Sequence, residues 1–169
     1  APECFISNTS FVDSKRGNDL TAKPEDPCFP YFTISSAIFN IPSPTPWNIQ
    51  LLPTIFLENV NINKNDITIN GSGPNSVING TITSTGNNVT LTNLTLNAVN
   101  ISAIIVTTGS VIAEDLIING LYTNPAATGI LINVFEPASL NIDRYTLTYT
   151  YSQGTLPYVF NHPGQLSLF

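Results

Sequence analysis

Charged side chains are scarce in this sequence. They make up 9% of its 169 residues, against about a quarter in an ordinary globular chain. Lys and Arg together number 5 and the formal charge is −6. Such a chain cannot neutralise a phosphate backbone, which argues against nucleic-acid binding. No apolar run reaches the roughly 18–20 residues of a membrane span. The single histidine, His162, stands beside Pro163 with no cysteine or second histidine near it. That argues against a zinc site within one chain and leaves only a symmetric trimer gathering three imidazoles on its axis. No secretory signal precedes Ala1-Pro2-Glu3-Cys4, a start that reads as a mature terminus or an artificial boundary. Nothing in the chain calls for a metal or a cofactor.

Asn, Thr, Ile, Leu and Ser dominate instead. A polar but uncharged surface is characteristic of extracellular β-structure. The length suits one domain with a substantial core. Within it a short phrase is repeated: Val89-x-Leu91-x-x-Leu94-x-Leu96, Val111-x-Ala113-x-x-Leu116-x-Ile118 and Leu140-x-Ile142-x-x-Tyr145-x-Leu147, with a weaker forerunner at Ile67-Thr68-Ile69. The steps are 22 residues to Val89, 22 to Val111 and 29 to Leu140, with Pro125 and Pro137 inside the longer one. A fixed period of this size decides the architecture before any local reading does. Alternation marks a strand with one buried face, the three-residue step marks a corner, and helical spacing is missing. Ile104-Ile105-Val106 and Ile130-Leu131-Ile132 add a further strand to each coil. The expected class is all-β, a solenoid of about four to five coils.

Three regions follow. Residues 1–47 form an amino-terminal cap: a strand at Phe11-Val12-Asp13, a loop, and a short helix that Thr33 caps and that buries Ile34, Ala37 and Ile38. The proline cluster from Ile41 to Pro46 ends that helix. The helix is placed to cover the open end of a β core. Residues 48–148 are the coils. Residues 149–169 leave the pattern as a tail with Tyr149, Tyr151, Tyr158, Phe160 and Phe169, either a cap on the last coil or an interface between copies. Cys4 and Cys28 both precede the repeat and read as a disulfide, against the alternative of two free thiols. At a step of 22, Asn75, Asn97 and Asn119 fall in register and are expected to form a structural ladder of stacked amides.

The opening segment resembles a known family. Phe11-Val12-Asp13-Ser14 with Gly17-Asn18-Asp19, followed by Pro30-Tyr31-Phe32-Thr33-Ile34-Ser35-Ser36-Ala37-Ile38, is similar to the start of right-handed parallel β-helix proteins of the pectate-lyase-like superfamily. There, a strand ending in Gly-x-Asp leads to a Pro-Phe-x-Thr-Ile-x-x-Ala-Ile helix and then to coils. The likeness spans about residues 11–147 and implies fold more than activity. The charge-poor style is similar to that of surface or fibre proteins of large DNA viruses and of phage tailspikes. This implies a trimeric, carbohydrate-facing part of a virion or cell surface.

The acidic motifs of pectin-active members are absent: neither Asn-Thr-Asp, Asp-Asp nor Gly-His-Gly occurs. One constellation remains. Register stacks Glu114 on Asp143 and Asp115 on Arg144, about 4.8 Å apart. Glu114 and Asp143 are therefore the candidate carboxylate pair of a polysaccharide hydrolase or lyase, against a plain ion-pair cluster neutralised by Arg144. Six sequons, at Asn8, Asn70, Asn79, Asn88, Asn93 and Asn100, are possible glycan acceptors in an exported chain. The expected function is a non-enzymatic structural or adhesion module, extracellular or on a virion, associating with itself and touching glycans.

Overall fold

The computed structural model describes residues 4–42, 46–124, 129–151 and 159–169. Its regular structure is almost all strand. The chain begins with β1 (Thr9–Val12) and a single short helix, α1 (Ile34–Phe39). Short strands follow: β2 (Trp47–Leu51), β3 (Ile55–Phe56), β4 (Val60–Ile62), β5 (Ile67–Asn70), β6 (Val77–Asn79) and β7 (Ile82–Ser84). Next come the long β8 (Val89–Val99), β9 (Ile104–Val106), the long β10 (Ser110–Tyr122), β11 (Ile132–Val134) and the long β12 (Ser139–Tyr151). The chain closes with β13 (Phe160–Asn161) and β14 (Gln165–Leu168). The fold is all-β, in parallel sheets with no closed barrel.

Every pairing is parallel. One sheet runs β1-β2-β5-β8-β10-β12-β14, with β3 and β6 joining it through β8; the other runs β13-β11-β9-β7-β4. The long strands stack in the register of the sequence phrase: Val89 on Val111 on Leu140, and Leu96 on Ile118 on Leu147. The inward row of each strand is therefore one continuous core, from Val12, Ile49 and Ile69 through Leu91 and Ala113 to Ile142, all buried. Burying each such Ile or Leu stabilises by roughly 1.5–3 kcal/mol, and the repeat secures that gain at every level.

The three-residue step is a backbone corner. Asn93, Asp115 and Arg144 interrupt β8, β10 and β12 with φ of 58°, 52° and 50°. A single left-handed residue turns the strand so that apolar residues on both sides of it face the same interior. Asn8, Asp66 and Asn88 adopt the same conformation just before β1, β5 and β8. Asn and Asp tolerate this region best among residues with a Cβ. The Asn-rich composition thus has a local backbone cause.

The helix closes the amino-terminal end. Thr33 caps α1, accepting from the Ser36 N–H at 3.1 Å, and Ile34, Ala37 and Ile38 are buried. Two carboxylates complete the cap. Asp19 accepts from the Phe32 and Thr33 N–H groups at 2.7 and 3.0 Å and from the Thr33 hydroxyl at 2.8 Å. Glu58 accepts from the Ile34 and Ser35 N–H groups at 2.7 and 3.0 Å. Gly17 is required because its Cα lies against the Tyr31 carbonyl, where any Cβ would collide. Asp13, only 1% exposed, holds the preceding turn by accepting from the Lys15 and Arg16 N–H groups and the Arg16 Nε. Cys4 and Cys28 form a disulfide that ties the first strand's lead-in to the loop below it.

Three sequence expectations are corrected here. Asn75 is not in the ladder. Between β5 and β6 the residues from Gly71 to Ser76 form a loop, so β6 meets β8 at an offset of 18 residues and Asn79 lies opposite Asn97. Asn75 sits exposed on that loop. Second, the counterpart of Ile104 one level up is Ile132, and β11 is centred two residues later than Ile130-Leu131-Ile132 suggested. Third, the residues after Leu147 do not leave the pattern at once. The strand continues to Tyr151, and β13 and β14 each add a strand to one of the two sheets. Tyr158 lies outside the described residues.

Candidate functional site

Two groups of polar side chains stand on the outer surface. The first is the corner cluster. Pairing places Glu114 against Asp143, as the repeat predicts. Arg144 occupies the centre. Its Nε donates to Asp115 at 2.8 Å, its Nη2 reaches Asp115 at 3.2 Å and Glu114 at 3.4 Å, and its Nη1 pairs with Asp143. One guanidinium thus engages three carboxylates. The Asp115 carboxyl lies below its ordinary range because Arg144 donates to it. The guanidinium is held still further towards its charged form, by Asp115 first and then by Asp143 and Glu114. All four groups are at least two-fifths exposed. A general acid needs a carboxyl held protonated by burial or by an uncompensated like charge. Here the compensating cation is central and the site is open to water, so the geometry is that of a surface ion-pair network.

The second group is an amide ladder. Asn119 Nδ2 donates to Asn97 Oδ1 at 3.0 Å, and Asn97 Nδ2 donates to Asn79 Oδ1 at 3.0 Å. Asn97 thus both donates and accepts, Asn119 donates and Asn79 accepts, so each amide keeps at least one N–H and one acceptor lone pair outside the ladder. The ladder forms one wall of a groove of about 450 Å³ that Asn59, Ala98, Val99, Ile101 and Leu121 also line. Val99, Ile101 and Leu121 are 55%, 40% and 39% exposed. Among the described residues, no charged side chain lines it. The groove therefore offers neutral donors and acceptors at the strand spacing beside an apolar strip.

The six sequon asparagines divide by the state of their side-chain nitrogen. Asn70 donates to Gln50, Asn88 to Asp66, Asn93 to the Gly71 carbonyl and Asn100 to Thr123. Asn79 only accepts, from Asn97, and Asn8 is exposed beside β1. The sequons are thus largely corner and ladder residues by structural need. His162 is exposed on the segment between β13 and β14. Among the described residues, the one grouping of three metal-ligating side chains is Cys4, Asp26 and Cys28, and its two sulfurs are bonded to each other. No described helix is long and apolar enough to cross a membrane.

No family model, curated protein or solved structure matches this chain. Function must therefore be argued from the surface itself. Sequence reasoning located the corner cluster through register. It missed the groove, because the loop that brings Asn79 under Asn97 changes the offset within one repeat. It also missed Glu58, whose capping role depends on α1 folding back onto the start of β4.

Proposed function

We propose that this chain is a right-handed parallel β-helix serving as a non-enzymatic, extracellular structural or adhesion module, and that its amide groove contacts neutral glycans. Three things support the fold. Successive strands pair in parallel at the repeat step, parallel crossovers are right-handed with few exceptions, and the opening signature is similar to that of the pectate-lyase-like superfamily. The Cys4–Cys28 disulfide fits an oxidising, external location. The surface of a virion or a cell, as in the viral and tailspike proteins the chain resembles, is the setting that suits these features.

The observation that carries the glycan reading is the ladder of Asn79, Asn97 and Asn119 with its spare donors and acceptors, set beside an uncharged apolar strip. Sugar rings present this combination, hydroxyls at the edge and C–H faces between them. A charged ligand would find nothing to neutralise it. Screening the protein on an array of neutral and acidic glycans tests this. Binding confined to neutral glycans is expected, with a loss of about tenfold or more in Val99→Glu, which places a carboxylate in the groove without touching the ladder. Failure of the wild type to bind any neutral glycan, or unchanged binding by Val99→Glu, overturns the reading. Cleavage of a polysaccharide by the wild type and its loss in Glu114→Gln would establish the hydrolase or lyase alternative instead.

A further inference from the structure

Of the three ladder asparagines, one stands in a sequon. Asn79-Gly80-Thr81 fits the acceptor pattern, whereas Asn97-Ala98-Val99 and Asn119-Gly120-Leu121 do not. Asn79 is also the terminal rung. Its Oδ1 accepts from Asn97 Nδ2 at 3.0 Å, and among the described residues its own Nδ2 has no acceptor. The side-chain nitrogens of Asn70, Asn88, Asn93 and Asn100 all donate to neighbouring groups. Asn79 is exposed at the end of β6 and lines the groove with Asn59, Val99, Ile101 and Leu121. Asn8, exposed beside β1, is not a groove residue.

N-glycosylation changes only the nitrogen of such a side chain. A bond forms between Nδ2 and C1 of a sugar, and Nδ2 loses one proton. The bond from C1 to the diphosphate of a lipid-linked oligosaccharide breaks, and its electron pair leaves with the diphosphate. The side-chain oxygen takes no part, so the bond from Asn97 to Asn79 survives. The folded chain is closed to this transfer. Thr81 Oγ1, the hydroxyl on which the sequon depends, donates to the Ser102 carbonyl at 2.6 Å, and the Gly80 N–H donates to the Asn97 carbonyl at 3.2 Å. Transfer therefore belongs to the unfolded chain, and the fold has only to accommodate the product. At Asn79 it does so without giving up a ladder bond. At Asn70, Asn88, Asn93 and Asn100 the sugar would enter on a nitrogen already turned to a partner.

We infer that Asn79 is an N-glycan acceptor when the chain passes through a secretory pathway, and that the neutral sugars attached there lie in the amide groove as a tethered ligand. The inference rests on the glycan reading of that groove. Attachment at a residue of the groove wall holds the sugar at an effective concentration in the millimolar range, so even a weak site stays filled. An external glycan then has to displace it. Modification of Asn79 thereby decides whether the groove is free to take a glycan from another molecule.

The test compares the wild-type chain secreted from a eukaryotic host with Thr81→Val from the same host and with the wild-type chain made in a bacterial periplasm. Thr81→Val removes the sequon and leaves Asn79 and every groove residue in place. The bacterial sample serves as the unglycosylated reference should that variant fail to fold. Peptide mapping by mass spectrometry is expected to find a glycan on Asn79 in the secreted wild type and none in the other two. Val99→Cys, introduced into each, is expected to react with a maleimide about tenfold more slowly in the glycosylated chain, because the tethered sugar competes for the groove. An unmodified Asn79 in the secreted, folded wild type overturns the acceptor site. Equal labelling rates in all three samples overturn the seating of the glycan. Neutral-glycan arrays keep the functional reading separate. Binding by the unglycosylated chains together with equal labelling leaves that reading intact and removes only this inference. No binding by them, with Asn79 modified and labelling slowed, removes capture of external glycans and leaves the tethered one.

Discussion

Tyr122 shows how one side chain joins local chemistry to overall stability. It is 1% exposed, lies 5.2 Å from the Tyr149 ring, and donates its hydroxyl towards the Ile101 and Ile130 carbonyls. Room for this packing comes from Gly120, where a Cβ would meet Leu131 Cδ1 at 2.8 Å. Burial, with the nearby Tyr149 adding to it, pushes the Tyr122 hydroxyl up from 10.0 to about 12. The folded state thus keeps a proton that the unfolded chain has lost. Its contribution is whole below pH 10 and is lost as pH rises towards 12. Thermal unfolding followed from pH 8 to 12 should show this decline, shallower in Tyr122→Phe and still present because Tyr31 and Tyr149 are raised too. At neutral pH the same variant should be less stable by about 1 kcal/mol, the cost of the lost bond to the Ile101 carbonyl, since the Ile130 carbonyl keeps the Ser102 hydroxyl at 2.5 Å. An identical pH profile in the variant would remove Tyr122 from the account. Asp13 and Asp19 act at the other extreme. Burial pushes both up, but hydrogen bonds from Arg16 to Asp13 and from Thr33 to Asp19 outweigh it and leave both below their ordinary value. Their contribution is present above about pH 4 and fails as pH falls further.

Among the elements, the long strands were the most legible. The phrase at Val89, Val111 and Leu140 gave correct register even across the 29-residue step, because a one-residue slip would turn the whole inward row to solvent. The corner was visible as the three-residue step, and its cause is the left-handed residue at Asn93, Asp115 and Arg144. The ladder was only half legible. Equal spacing pointed to Asn75, but the loop after β5 shortens the offset to β6, and Asn79 takes its place. Urea unfolding separates the two assignments. Asn97→Ala removes one bond given and one accepted and should cost about 1 kcal/mol, while Asn75→Ala should stay within about 0.5 kcal/mol. Equal losses at the two positions would contradict the corrected ladder. Neither Glu58 nor Asp19 was legible as a helix cap. Capping carboxylates so far away in sequence have no local pattern to reveal them.

At the scale of the whole molecule, the amino-terminal end of the core is held by a covalent bond and by polar contacts around the helix cap. The Cys4–Cys28 bond spans 24 residues, and closing a loop of that size is worth about 3 kcal/mol in the chain-entropy model. Cys28→Ser should lose about that much in chemical unfolding. Hydrogen exchange should quicken at β1 and Tyr31 well before it does at β10, and uniform quickening would mean that the amino-terminal end is not a separable unit. The sequence by itself determined the all-β class, the period, the inward rows and the register of the long strands, since these follow from which residues can be buried at a repeating step. It also marked the cap, through Thr33 and the apolar face of α1. Only the tertiary structure decided which asparagines touch, that Arg144 gathers three carboxylates into an ion-pair network, and that a neutral groove lies beside the ladder. Those facts depend on loop lengths within a repeat and on what stands one level above or below each residue, and burial alone does not constrain side chains that face water.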